Sequence, residues 1–161
     1  MRKRNYKIED KDAFACPIIY KNNFFTLEHT IYFNIPGYLI LFFNENKPIH
    51  EQLPKILSSL GHILALTTSC IKEIMQTNYV YCLSFGEKIT IPHFHIFPRT
   101  EQIKTEYQLV NSLSSKHNDI SGPDLFAWIM KSKNGKYENI EFLSGKIRNR
   151  FMEQKNKYLK E

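Results

Sequence analysis

At 161 residues the chain is sized for one domain with an appended helix or two, and its 42% hydrophobic and 14% aromatic content excludes a disordered chain. No apolar run approaches the roughly 20 residues of a membrane helix, and no apolar signal core follows the basic start Met1-Arg2-Lys3-Arg4, so a cytoplasmic protein with no membrane partner is expected. The net charge of +6 sits in the tails: residues 1–12 carry five basic and three acidic side chains, residues 131–161 nine and four, and residues 13–130 eight and nine. That distribution fits a solvated basic helix face better than a nucleic-acid site, although a basic tail able to dock RNA, DNA or an anionic lipid surface is the competing reading.

After the charged segment 1–12, expected to be flexible, residues 24–34 read as a strand rich in aromatic and β-branched side chains. Ile35-Pro36-Gly37 is a turn signal, and residues 38–43 form a second apolar strand that pairs with the first as a hairpin. From 50 to about 75, Leu53, Ile56, Leu57, Leu60, Leu64, Ile71, Ile74 and Met75 recur at steps of three and four. This spacing predicts one long amphipathic helix. Residues 78–85 and 89–97 then read as strands on either side of Gly86, and 100–120 as a long polar connection without period. Ser121-Gly122-Pro123-Asp124 opens a helix to about residue 130, and Ile140, Leu143, Ile147 and Phe151 mark a last helix rich in Lys and Arg. Antiparallel strands with helices gathered on one side make an α+β domain. Cys16, Cys70 and Cys82 are too widely spaced for a disulfide framework or a zinc knuckle, and are expected reduced and structural.

Chemistry concentrates in Ile91-Pro92-His93-Phe94-His95-Ile96-Phe97-Pro98-Arg99. Residues two apart on a strand share a face, so His93, His95, Phe97 and Arg99 line one side, while Phe94 and Ile96 point to a core helix. Two neutral imidazoles on a rigid strand suit phosphate chemistry: one attacks phosphorus and the next meets phosphate oxygens or the leaving group, with Arg99 steering an anion. A bare His-x-His is more often a polar sheet face or half of a metal site, and a metal needs further ligands.

The run 86–99 resembles the signature strand of the histidine-triad superfamily, in which Gly-Gln precedes three alternating histidines and Pro-Arg often follows. Aligned on His-Ile-Phe-Pro-Arg, His93 matches the middle histidine and His95 the third. Residues 26–43 resemble that family's opening hairpin and the helix from 50 to 76 its main helix, so the resemblance spans roughly 16–105. It implies an antiparallel sheet of about five strands with a long helix on it, a nucleotide domain over 13–105, and a C-terminal helical extension over 106–161 packed on the same domain. It also implies a homodimer and a two-step reaction. His93 attacks the α-phosphorus of a nucleotide conjugate, a dinucleoside polyphosphate or nucleoside phosphoramidate, forming a nucleotidyl-histidine that water or another acceptor resolves. His95 contacts the phosphate and helps the departing group.

The chain departs from that pattern at three places. Ile91 replaces the first histidine, leaving a main-chain carbonyl at 91 to orient His93. Glu87 replaces a phosphate-binding glutamine, so it either points away or the substrate sits differently. Of the ligands that bind zinc in some relatives only Cys16 and His50 remain, with Ile19 and Ile91 at the others, so neither metal nor cofactor is expected. Asn34 matches a ribose-binding position or caps a turn, and Ser84 either donates to phosphate or is an ordinary strand serine. Ile91 and Glu87 also motivate a competing reading, a nucleotide-binding or regulatory module with weakened turnover.

Overall fold

The structure is a computed structural model that describes residues 16–44, 53–85, 91–111 and 120–158. Gly86, Glu87, Lys88, His50, His117 and the segment 1–12 lie outside the described residues.

Five strands form one antiparallel sheet: β1 (Ile18–Lys21), β2 (Phe25–His29), β3 (Leu39–Phe43), β4 (Val80–Leu83) and β5 (His93–Pro98), in the order β1-β2-β3-β5-β4. The hairpin expected from Ile35-Pro36-Gly37 is β2–β3, with His29 opposite Leu39 and Phe25 opposite Phe43. β1 was not marked by the sequence reading; it follows Cys16-Pro17, spans four residues and pairs irregularly with β2.

The long helix α1 (Leu53–Ile74) turns Ile56, Ile63, Leu66, Cys70 and Ile71 inward at helical spacing. It stops where Gln76 takes a left-handed φ of 50° and the Thr77 amide reaches the Lys72 carbonyl at 3.1 Å, a Schellman-type closure. These side chains meet Phe25, Leu27, Leu39, Leu41 and Ile96 from the sheet and Leu143, Ile147 and Phe151 from α4 (Ile140–Tyr158). α4 also runs beside β1, where the Arg148 guanidinium donates twice to the Ile18 carbonyl, at 2.8 and 2.6 Å. The edge at β1 is thereby covered, and β4 forms the other edge.

Two expectations are corrected. Residues 100–120 are not one polar connection: α2 (Glu101–Val110) begins at once, because the Thr100 hydroxyl caps the Ile103 amide and Ile103 and Gln108 bury one narrow side of an otherwise polar helix. Nor are the helices gathered on one face. α2 and α3 (Gly122–Ser132) pack on the opposite side of the sheet from α1 and α4, over Tyr38, Ile40 and Phe97. That face is apolar along most of its length, and burying it demands a second layer. α2 itself runs across position 105, the expected end of the nucleotide domain, and α3 lies against the sheet. Among the described residues no helix is long and apolar enough to cross a membrane.

Candidate active site

β5 alternates as the sequence requires. Phe94 and Ile96 enter the core under α1, whereas His93, His95 and Phe97 face α3. Register sets their neighbours: Phe42 on β3 lies opposite His93, Ile40 opposite His95, and Leu83 on β4 completes the His95 row. The two imidazoles stand edge to face, 4.9 Å between ring centroids.

His93 is only 4% exposed, stacked on Phe42 at 5.7 Å. Its Nδ1 lies 2.8 Å from the Ile91 carbonyl. A carbonyl can only accept, so Nδ1 carries the proton and Nε2 keeps a free lone pair. The main chain of residue 91 therefore orients the ring although its side chain is an isoleucine. The Ser84 hydroxyl donates to the His93 carbonyl at 2.8 Å, which ties β4 to β5 beyond the last ladder pair at Leu83.

His95 is held on two sides. The Tyr38 hydroxyl lies 2.9 Å from its Nδ1, and the Phe126 ring from α3 sits 5.2 Å from the imidazole. Burial, with His93 alongside, pulls its pKa down to about 4. Tyr38 is completely buried, and that burial pushes its phenol well above the ordinary range. Phe85, 42% exposed, stacks on Phe126 at 5.1 Å, so the aromatic contacts of His95 extend to a partly exposed ring.

Backbone geometry brings Tyr38 to this place. His29 is fully buried; its Nδ1–H donates to the Thr30 carbonyl at 3.0 Å, and its Nε2 accepts the Gly37 amide at 3.0 Å. Gly37 has φ +77°, a conformation glycine adopts without a Cβ penalty. The turn is thus pinned on a core histidine immediately before Tyr38. At the far side, a Cβ on Gly122 would stand 2.8 Å from the Tyr81 ring, so α3 starts flush against β4 because that residue has no side chain.

The expected site residues fall into two groups. His93, His95 and Ser84 gather at one end of β5. Asn34 and Arg99 lie at the other: the turn carrying Asn34 ends at Gly37, beside Pro98, and the Asn34 amide donates to the Lys133 carbonyl at 2.8 Å. The Arg99 guanidinium lies 3.8 Å above the Tyr79 ring and donates to the Ile120 carbonyl at 3.4 Å. Glu87 is outside the described residues.

No family model and no curated protein matches the chain. Solved structures do. A hypothetical histidine triad nucleotide-binding protein from Sulfolobus tokodaii strain7 superposes with a TM-score of 0.56 at 16% identity, covering 88% of this chain and 87% of that one. A zinc-bound histidine triad family protein from Mycobacterium smegmatis gives 0.54 at 10% identity over 89% and 88% of the two chains. A histidine triad protein from Sinorhizobium meliloti 1021 gives 0.52 at 15% identity over 86% and 88%. The chain has the histidine-triad fold.

Within this histidine-triad fold, four residues beside the histidines escaped the sequence reading: Tyr38, Phe42, Phe85 and Phe126. Tyr38 and Phe42 were legible in part, since they share one face of an apolar strand with Ile40. Phe126 was not, because only tertiary packing brings α3 across the sheet. Among the described residues no group of three or more His, Cys, Asp or Glu is placed to hold a metal ion. Cys16 lies near Glu28, and burial with that carboxylate pushes its thiol up to about 11.

Proposed function

We propose that the chain is a nucleotide hydrolase or nucleotidyl transferase acting at the α-phosphate of a nucleotide conjugate in the cytosol, with His93 as nucleophile. The observation that carries the proposal is the Nδ1–H of His93 on the Ile91 carbonyl, which leaves Nε2 free to attack. In the first step Nε2 bonds to phosphorus while the bond from phosphorus to the leaving group breaks and its electrons depart with that group. The proton stays on Nδ1, hydrogen-bonded to the Ile91 carbonyl. In the second step water or another acceptor attacks phosphorus, the P–N bond breaks with its electrons returning to Nε2, and the attacking group loses its proton to solvent. His95 contacts the phosphoryl oxygens. Ser84 supports the site through the His93 carbonyl, and Asn34 and Arg99 hold the opposite end of the sheet. A second copy of the chain is expected on α1 and the edge strand β4, where Leu64, Thr68, Lys72 and Cys82 line a surface hollow.

The competing binding module is favoured by the 4% exposure of His93. Both readings are tested by incubating the protein and His93→Asn with dinucleoside polyphosphates and nucleoside phosphoramidates, with products resolved by ion exchange and the protein by mass spectrometry. The proposal expects turnover and a trapped nucleotidyl adduct in the wild type alone. Nucleotide binding with no turnover supports the module, and equal turnover by both proteins removes His93 as nucleophile.

A further inference from the structure

His95 stands between a phenol and an aromatic ring, and the direction of its hydrogen bond follows from what burial permits. The Tyr38 hydroxyl has one proton and, among the described residues, one hydrogen-bond partner, the His95 Nδ1 at 2.9 Å. Were the imidazole to donate from Nδ1, the phenol proton would be left unpaired in a completely buried residue, which is a costly arrangement. The arrangement that satisfies every donor has the phenol donating to Nδ1, so the proton of His95 is on Nε2, the nitrogen turned away from Tyr38. Around the ring stand Ile40 on β3, Leu83 on β4, Phe126 on α3 and His93 on its own strand. Among the described residues the groups acting on its charge are burial and His93, both of which disfavour a cation.

We infer that Tyr38 is a positioning residue that keeps His95 as a neutral Nε2–H donor, so that the site serves leaving groups that depart as anions and discriminates against amines. The inference rests on the reading above, in which His93 attacks the α-phosphorus. A phosphate or polyphosphate leaves as a stable anion when the P–O bond breaks, and a neutral N–H donor is enough to solvate the phosphoryl oxygens. An amine leaves as an amide anion unless it receives a proton as the P–N bond breaks. A neutral imidazole N–H is far too weak an acid to supply one, and general acid help is worth about 10²- to 10⁴-fold. The substrate class is therefore a nucleoside phosphoanhydride, with a phosphoramidate of the same nucleoside handled poorly.

The test has two arms. Nitrogen-15 NMR of wild-type protein with labelled histidine reads the His95 tautomer without any turnover. The expected spectrum is neutral with the proton on Nε2 from pH 5.5 to 8, changing to a tautomer mixture in Tyr38→Phe. A cationic His95 at pH 6 to 7, or a proton on Nδ1, overturns the inference. The second arm compares kcat/KM for a dinucleoside polyphosphate and for a phosphoramidate of the same nucleoside. A preference of about 100-fold or more for the anhydride is expected, with a rate that does not fall between pH 6 and 8. Tyr38→Phe lowers anhydride turnover about fivefold, the worth of one hydrogen bond. Equal rates for the two substrates overturn the inference. Absence of turnover on both, with the expected tautomer, removes the enzyme reading and leaves the role of Tyr38 toward His95 standing.

Discussion

Replacing Gly37 by alanine and by asparagine separates backbone strain from packing at the turn that delivers Tyr38. The glycine has φ +77°, and a Cβ there would lie 3.1 Å from Met75 Cγ, 3.3 Å from its Sδ and 3.5 Å from Pro98 Cγ. A left-handed conformation costs an L-residue about 1–2 kcal/mol. The thioether of Met75 is flexible enough to withdraw a few tenths of an ångström, so the contact adds roughly 0.5 kcal/mol to either variant. Stiffening the unfolded chain returns about 0.4–1 kcal/mol. Gly37→Ala therefore loses about 1 kcal/mol net, a fall of about 3 °C in melting temperature for a chain of this size. Asparagine tolerates the left-handed region and is expected to lose about half as much. Thermal unfolding followed by circular dichroism, with urea titrations for the free energies, measures both. Alanine at wild-type stability, or asparagine as costly as alanine, would refute the argument that φ is the dominant constraint.

Acid should loosen the same turn, because burial lowers the pKa of His29 below its ordinary 6.5 and protonation removes the acceptor for the Gly37 amide. The unfolded chain then binds the proton first, so stability present above about pH 6.5 is lost as pH falls, by up to about 1.4 kcal/mol per pH unit. His95, lowered to about 4, adds to the slope in the same sense, while Glu28, raised by burial, opposes it near the carboxylate range. Urea midpoints should drop between pH 7.5 and 5.5, and drop less in His29→Gln; a midpoint independent of pH in the wild type speaks against the pinned turn. Cysteine reactivity gives a further check. Cys70 is completely buried and Cys16 half-buried, both with thiols pushed up to about 11, and burial also raises the thiol of Cys82, which lines the α1–β4 surface expected to meet a second copy. Iodoacetamide at pH 8 should modify Cys70 at least about tenfold more slowly in the folded protein than in urea, by mass spectrometry. Comparable modification of Cys70 would contradict its place under α4.

Much of this architecture could be read from residue order, for identifiable reasons. α1 announced itself because its apolar stripe is continuous over six turns, and β5 because the strand alternation of His93, His95 and Phe97 against Phe94 and Ile96 is strict. The orientation of His93 was also accessible, since a main-chain carbonyl two residues earlier does not depend on the side chain at Ile91. α2 was lost because its signal is one capping threonine and two buried residues among exposed polar ones. β1 was lost because four residues with an irregular register carry no period of their own. The cover over the histidine face was lost for a deeper reason. Leu125, Trp128 and Ile129 show that α3 has an apolar side, yet nothing local says which face of the sheet that side will meet. The same holds for Tyr38, whose hydroxyl meets His95 across 57 positions of sequence.

The contact between Arg148 and Ile18 joins positions 130 residues apart. A ribosome adding about 5–20 residues per second makes the carbonyl of β1 roughly 6 to 26 seconds before the guanidinium that satisfies it. Throughout that interval the first strand is an open edge, able to pair with any other extended chain. Cotranslational folding of this molecule is thus a race between its last helix and its neighbours. Stalled or truncated products that lack α4 should be the species that aggregate.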